Sequence, residues 1–312
     1  MTAEQLTVVV CTHDRADLLE RTLNSLDAAI QPDAAVDVLV IANRCTDRTH
    51  SMLEQRQARQ HTGLRLRWLP EPNKGKSYAL NLALQTAEGQ LLAFVDDDQR
   101  AAPNFLSAIC SAAQLMPEAD IFCGRLLPDW DGTEPKWVHE TGPYRIYPLP
   151  VPEFDLGPKR RHLASNAPLP SGGNLVIRRS WIERVGPFST DLGPVGHNLG
   201  SAEDLEWLQR ALSLGAQLTY DPAIAQLHHV DPHRLSTGYL MRMTFARTAA
   251  AVFVENRCAP ARAPAWAYRK LAAYGIRAVT TLDSQRRRFY LMRSAAALGE
   301  ISGYRRRQPL TT

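Results

Sequence analysis

The amino-acid sequence predicts an α/β protein built on a doubly wound, mixed or mostly parallel sheet of the Rossmann type, followed by a helical C-terminal extension. Over the first 95 residues, short apolar runs alternate with longer segments of helical periodicity. The apolar runs are continuous and rich in β-branched residues, as is typical of parallel strands buried on both faces. Ligands bind beyond the carboxyl ends of such strands, so the polar residues that follow each strand are the first candidates for a functional site.

Four predicted strands and three predicted helices make up this alternation. The strands are residues 6–10, 36–42, 64–69 and 91–95, and the helices between them are residues 17–29, 48–60 and 77–87. Leu19, Leu23 and Leu26 show the helical spacing in the first helix. Further helices are predicted at residues 105–115, 181–185 and 204–214, and further strands at residues 121–126 and 174–177. Residues 128–170 lack periodicity and are predicted to form an irregular loop region that covers the site.

Length and charge predict two parts of the chain. The 312 residues, 45% of them hydrophobic and 22% charged, suffice for one large domain, predicted at residues 1–240, with a basic helical extension at residues 241–312. The extension holds 14 Lys and Arg residues against 3 Asp and Glu residues. This asymmetry indicates contact with an anionic surface, either peripherally with a membrane or with a polyanion, or else a solvated helical face. Packing of the extension on the domain at residues 1–240 is the alternative to membrane contact. We expect no nucleic-acid partner.

The cysteines and the N-terminus predict a cytoplasmic location, with or without peripheral contact at the inner face of the membrane. Five cysteines are scattered without CxxC spacing, which is typical of reduced thiols, and the first residues do not resemble a signal peptide. No apolar run approaches the roughly 20 residues that a membrane span needs.

Two acidic motifs are the main candidates for chemistry. Asp96, Asp97 and Asp98 close a predicted strand, where three carboxylates are tolerated if a divalent cation or solvent compensates their charge. Oxygen ligands suit Mg²⁺ or Mn²⁺, which bind through one or two carboxylates together with substrate phosphates. Glu203 and Asp204 open a predicted helix, where they act either as helix-capping acids or as a general base.

Three further segments carry weaker signals. Lys76 belongs to a turn with Gly75 at a predicted helix start, a place that favours anions. Gly172 and Gly173 precede a strand and either let the backbone approach a ligand or make a tight turn. His228 lies near the end of a predicted strand and is either a metal or diphosphate ligand or a solvated or packed side chain. Residues 11–15, which include Thr12, His13 and Arg15, either contact a base or ribose or turn the chain.

The order and spacing of these motifs resemble family 2 glycosyltransferases, which have the GT-A fold. The resemblance covers about residues 5–240. In chain order its motifs are VVVCTHDR at 8–15, NRCTDRT at 43–49, NKGKS and ALN at 73–81, FVDDD at 94–98, GGN at 172–174 with RR at 178–179, GPF at 186–188, ED at 203–204, and a closing set of Pro222, His228 and Arg234.

The resemblance implies a role for each candidate residue. Asp204 would be the catalytic base with Glu203 supporting it, and Asp98 and His228 would hold Mg²⁺ or Mn²⁺ on the diphosphate. Donor contacts are implied for Thr12, His13, Arg15, Asn43, Asp47, Lys76, Asp96, Asp97, Gly173 and Asn174. Many relatives have Asp where this chain has Ala42, so a base contact is missing and the nucleotide is left open.

The predicted function is inverting transfer of a sugar from a nucleotide-diphosphate donor to an acceptor hydroxyl. Two alternatives stay open at this point. A nucleotidyltransferase also combines a Rossmann-like domain with acidic metal ligands, but its Gly-rich loop after the first strand has no counterpart in residues 11–15. A non-catalytic nucleotide-sugar binding protein would not need Asp204 together with three aspartates.

Overall fold

The computed structural model of the chain describes residues 4–59, 63–164, 167–191, 203–255 and 262–305. The chain divides into two compact units. The first comprises residues 1–129 and 152–229, and the second comprises residues 130–151 and 230–312. The sequence-based boundary after residue 240 differs from this division, because residues 130–151 of the predicted loop region pack with the C-terminal helices.

The first unit begins with the predicted α/β alternation. Strands β1 (Leu6–Thr12), β2 (Val36–Asn43), β3 (Arg65–Glu71) and β4 (Leu91–Asp96) are parallel neighbours in the order β3-β2-β1-β4. Helices α1 (Ala16–Asp27), α2 (Thr49–Ala58) and α3 (Lys76–Thr86) connect them. The α/β fold class is therefore confirmed.

Beyond β4 the sheet becomes mixed. Its order continues β4-β8-β6-β9-β5, and β8 (Leu175–Arg178) runs antiparallel to both β4 and β6 (Ile121–Asp129). The long strand β9 (Leu218–His229) is parallel to β6 and antiparallel to the short strands β5 (Gln99–Ala101) and β7 (Arg161–His162). The three-residue strand β5 escapes sequence-based prediction because it is too short to show periodicity.

Alternation along the strands divides the core between the two faces of the sheet. Val8 and Val10 of β1 pack on the side of α1, α2 and α4 (Phe105–Leu115), whereas Val9 packs on the opposite side. That opposite side holds α3, α5 (Arg179–Val185) and α6 (Glu203–Ser213), where Trp207 is fully buried. Because both faces are covered, the strands read as continuous apolar runs.

The second unit is helical. Its elements are α7 (Thr237–Glu255), α8 (Ala265–Thr280), α9 (Ser284–Arg305) and two short 3₁₀ turns, Lys136–His139 and Pro232–Leu235. Trp137, Leu240 and Met292 lie in its apolar core. The helical nature of the C-terminal segment agrees with the sequence pattern. None of the helices in the described ranges is long and apolar enough to cross a membrane.

Candidate active site

A cleft opens at the carboxyl edge of the sheet in the first unit. Asp96 is the last residue of β4 and lies in register with Cys11 of β1. Lys76 from the start of α3, Asp204 from the first turn of α6 and the backbone of Gly172 and Gly173 line the same cleft. The topology therefore brings together side chains from four separate segments of the sequence.

Lys76 links the two acidic motifs. Its Nζ lies 2.9 Å from Oδ1 of Asp96 and 3.7 Å from Oδ2 of Asp204. Burial disfavours the ammonium, but the carboxylates of Asp204 and Asp96 more than offset it and hold the pKa of Lys76 well above its usual value. Conversely, burial opposes ionisation of Asp96, and Lys76 nevertheless lowers the pKa of that carboxyl. The cleft thus holds charged groups of both signs.

The two glycines are required by the close approach of these carboxylates. A Cβ on Gly172 would lie 2.0 Å from Cγ of Asp204, and a Cβ on Gly173 would lie 2.3 Å from Oδ2 of Asp96. The backbone N–H of Gly172 also donates a hydrogen bond of 3.1 Å to Oδ2 of Asp204. Both positions therefore require glycine because carboxylates of the same chain approach them closely. This reason adds to the tight turn or ligand approach predicted from the sequence.

Asp97 contacts two residues at the junction of β1 and α1. Its carboxylate accepts hydrogen bonds from Oγ1 of Thr12 at 2.7 Å and from Arg15 at 3.0 Å, and Arg15 also bonds to Asp98 at 3.1 Å. Burial raises the pKa of Asp97 to about 6, although Arg15 acts in the opposite direction. Thr12 and Arg15 therefore hold the aspartate motif in place through hydrogen bonds to its carboxylates.

Asp98 and His228 meet through the pairing of β5 with β9. Nε2 of His228 lies 3.3 Å from Oδ1 of Asp98, and Nδ1 of His228 lies 2.7 Å from the carbonyl oxygen of His229. The carbonyl of His229 thus holds one side of the imidazole ring, and Nε2 on the other side faces a carboxylate oxygen of Asp98. A carboxylate oxygen and an imidazole nitrogen at this distance could ligate one cation together. The carboxylate suits Mg²⁺ or Mn²⁺, whereas an imidazole nitrogen suits transition metals rather than Mg²⁺.

Three predicted donor residues have structural partners at the same edge. Asn43 is buried, accepts a hydrogen bond from the backbone N–H of Gly75 at 3.0 Å and donates one to the carbonyl of Asn73 at 2.6 Å, which fixes the loop before α3. Nδ1 of His13 lies 2.7 Å from the carbonyl oxygen of Asn43. Asp47 accepts hydrogen bonds from the backbone N–H of Ala16 and Thr49, and so caps α1 and α2.

Asn174 does not line the cleft. It is buried, and its amide exchanges hydrogen bonds with both backbone groups of Gly124, at 2.7 and 3.1 Å. Its side chain thereby joins β6 to the turn that carries Gly172 and Gly173. Asn174, for which the family resemblance implies a donor contact, therefore holds two segments of the backbone together in this structure.

Glu203 lies next to Asp204 but is buried without hydrogen-bond partners for its carboxylate in the described part of the chain. Glu203 is fully buried, and neither carboxylate oxygen has a hydrogen-bond partner among the described residues. Burial, with a smaller effect of Asp204, raises the pKa of Glu203 to about 7.

Burial also raises the pKa of the Cys11 thiol to about 12, so Cys11 stays protonated at neutral pH and is not an activated nucleophile.

Two glutamines near the cleft were not singled out from the sequence. Gln99 accepts a hydrogen bond from the backbone N–H of Asp96 at 3.2 Å, and its amide lies 3.4 Å from Oδ2 of that residue. Gln226 of β9 donates a hydrogen bond of 2.9 Å to the carbonyl of Gly173. The position of Gln99 directly after three aspartates is a signal in the sequence, whereas nothing local distinguishes Gln226.

Comparison with known proteins identifies the family. The sequence profile described as Glycosyl transferase family 2 matches residues 7–186, more than half of the chain. The chain therefore belongs to glycosyl transferase family 2 and is a glycosyltransferase. It is 25% identical over 238 residues to the succinoglycan biosynthesis protein ExoM of Rhizobium meliloti, covering 76% of this chain and 70% of that protein. It is also 24% identical over 246 residues to glycosyltransferase AglE of Haloferax volcanii, covering 77% and 70% respectively.

Solved structures support the GT-A fold. The mannosyltransferase PcManGT from Pyrobaculum calidifontis, solved in complex with GDP-Man and Mn²⁺, superposes with a TM-score of 0.56 at 19% identity, covering 96% of this chain and 87% of that one. TarS of S. aureus superposes with a TM-score of 0.51 at 19% identity. This chain is covered to 77% in that comparison but spans only 39% of the TarS chain.

Proposed function

We propose that the protein transfers a sugar from a nucleotide-diphosphate donor to an acceptor hydroxyl with inversion at the anomeric carbon. The observation that carries this proposal is the cleft in which Lys76 joins Asp96, the residue that resembles a donor-binding aspartate, to Asp204, the residue that resembles the base. The structural relatives solved with UDP and with GDP-Man agree with a nucleotide-sugar donor.

Asp204 would accept the acceptor's proton. As the acceptor oxygen forms its bond to the anomeric carbon, the bond between that carbon and the diphosphate oxygen breaks, and the proton moves to the carboxylate of Asp204. Oδ2 of Asp204 accepts the hydrogen bond from the backbone N–H of Gly172 and lies 3.7 Å from Nζ of Lys76, so the carboxylate is held within the cleft. Burial raises the pKa of Glu203 to about 7, and this residue would support Asp204, its neighbour in the first turn of α6.

Asp98 and His228 would hold Mg²⁺ or Mn²⁺ beside the donor diphosphate. The bound cation supplies positive charge that offsets the charge of the leaving group. Arg15 bonds to both Asp97 and Asp98, so it keeps the carboxylate of Asp98 in place next to His228. A single displacement with no covalent intermediate on the protein gives inversion.

A product analysis tests this function. Purified protein incubated with UDP- and GDP-sugars, each with Mg²⁺ or Mn²⁺, should release the nucleoside diphosphate above background by slow hydrolysis or transfer. NMR of the transferred sugar should show the anomeric configuration opposite to that of the donor. Release of pyrophosphate would instead indicate a nucleotidyltransferase, and metal-dependent nucleotide binding without any turnover would indicate a non-catalytic binding protein.

We also propose cytoplasmic location with peripheral attachment to the membrane through the second unit. The cysteines in the described ranges, Cys11, Cys45, Cys110 and Cys123, are free thiols, as is usual in a reducing compartment. The attachment is supported by the tip of the α8–α9 hairpin, where Ile276, Val279 and Leu282 are 64%, 85% and 98% exposed.

Exposed arginines surround this aliphatic tip. Arg277, Arg286 and Arg287 are all exposed, and Asp283 is the single acidic residue between 271 and 299. Aliphatic side chains flanked by cations suit the interface of a bilayer that contains anionic lipid.

Vesicle sedimentation tests the attachment. The Val279→Ser/Leu282→Ser variant should sediment less with phosphatidylglycerol vesicles than the parent protein. Leu115→Ser, which changes an aliphatic residue that is 66% exposed in the first unit, should sediment like the parent. Equal sedimentation of the tip variant and the parent would count against attachment through the hairpin tip.

A further inference from the structure

The second unit contains a cavity of about 510 Å³ that the proposed reaction does not use. It lies between residues 142–148 and the helices α7 and α9. A volume of this size is within the range of small-molecule sites. All of the lining residues belong to the second unit.

Part of the wall of the cavity is apolar. Ile146 and Tyr147 contribute from the loop, Met243 from α7, and Phe289 and Met292 from α9. Methionine and aromatic side chains adapt to flexible apolar chains because the thioether is unbranched and polarisable. Thr244 and Thr248 also line the cavity, and the hydroxyl of Thr244 donates a hydrogen bond of 3.8 Å to Sδ of Met292.

Three exposed arginines line the same cavity, and no carboxylate in the described part of the chain pairs with them. Among the described residues, Arg145, Arg247 and Arg293 form no ion pair, and the cavity lining contains no acidic side chain. Arg145 lies over the ring of Tyr147 at 4.9 Å, and Arg293 lies over the ring of Phe289 at 5.2 Å. Stacking uses the face of a guanidinium and leaves its in-plane N–H groups available for an anion.

We propose that this cavity binds a lipid phosphate, meaning a phosphate monoester on a single apolar chain. A phosphate monoester carries about −1.5 to −2 charges at neutral pH, which complements three guanidinium groups better than a carboxylate or a phosphodiester does. The apolar chain would lie against Met243, Phe289 and Met292. Burial of each methylene adds to affinity, so chain and phosphate together bind more tightly than either part alone.

Calorimetric titration with decyl phosphate, below its micelle-forming concentration and without vesicles, tests the proposal. The parent protein should bind decyl phosphate at least about tenfold more tightly than inorganic phosphate or decyl maltoside. The Arg247→Gln/Arg293→Gln variant should bind it at least about tenfold more weakly, because two charge-assisted hydrogen-bonding groups are lost. Arg242→Gln, which changes an exposed arginine of α7 outside the cavity, is the matched control and should bind like the parent.

A second variant distinguishes binding inside the cavity from nonspecific attraction of an anion to a basic surface. Ala296→Phe places a ring in the cavity without changing its charge, and it should weaken decyl phosphate while leaving inorganic phosphate unchanged. Circular dichroism and unfolding temperature check that each variant is folded. The proposal is overturned if the double arginine variant binds decyl phosphate normally, if inorganic phosphate binds as tightly, or if dihexanoylphosphatidylglycerol binds as tightly. The last result would assign the cavity to bilayer phospholipid.

Discussion

The backbone N–H of Gly172 donates a hydrogen bond of 3.1 Å to Oδ2 of Asp204, and the two residues are so close that no side chain fits between them. A turn that precedes β8 thereby fixes the carboxylate at the start of α6. This contact explains why the double glycine and the acidic pair, separated by about 30 residues, belong to one site.

Replacing Gly172 should therefore displace the proposed base. The Cβ of Gly172→Ala would lie 2.0 Å from Cγ of Asp204, so the carboxylate must move. We expect turnover to fall about 10²-fold, as for displaced catalytic groups generally, with a smaller change in donor binding. The measurement is steady-state kinetics with calorimetric donor binding. Gly238→Ala, where a Cβ meets nothing within 4 Å, is the control, and normal turnover of Gly172→Ala would contradict the role of the contact.

Removing the ammonium of Lys76 should weaken both donor binding and turnover. In Lys76→Met, the carboxylates of Asp96 and Asp204 lose their shared cation and repel each other in a buried cleft. We expect nucleoside diphosphate binding to weaken at least about tenfold, measured by calorimetry. Lys74→Met removes an exposed lysine two positions earlier and should leave binding unchanged. If Lys76→Met bound the nucleoside diphosphate as tightly as the parent protein, the ammonium of Lys76 would not be needed for donor binding.

Loss of the His228 imidazole should affect the response to metal. Because Nε2 of His228 faces Asp98 while Nδ1 is held by a backbone carbonyl, His228→Ala removes one of two proposed ligands. The Mn²⁺ concentration for half-maximal activity should rise about 10- to 100-fold. His162→Ala, which removes an exposed imidazole on β7, should leave that concentration unchanged. An unchanged Mn²⁺ response of His228→Ala would rule out the ligand role.

The buried Glu203 should make stability depend on pH. Burial raises its pKa from 4.5 to about 7, so between these values the unfolded chain loses a proton that the folded protein keeps. The free energy of unfolding should consequently fall as pH rises from about 4.5 to 7, by an amount on the order of 1–3 kcal/mol. Denaturant unfolding across this pH range should show a smaller fall for Glu203→Gln. An identical pH dependence in both proteins would contradict the neutral state of Glu203.

The sequence by itself determined the α/β alternation and the edge at which the site lies. Continuous β-branched runs that alternate with helical segments are typical of buried strands in a sheet covered on both faces, and the residues that follow parallel strands lie at its carboxyl edge. Asp96, Lys76 and Asp204 could be singled out in this way, because each follows a strand or opens a helix.

Only the tertiary structure decided which candidates face one another. Strand β5 is too short to be read from periodicity, yet its pairing with β9 brings His228 to Asp98. The amide of Asn174 lies with Gly124 outside the cleft, a partner 50 residues away that no local pattern reveals. The packing of residues 130–151 with the C-terminal helices was likewise decided by the tertiary structure. Local propensity reports on neighbours along the chain, whereas these contacts depend on sheet order and on the close approach of distant segments.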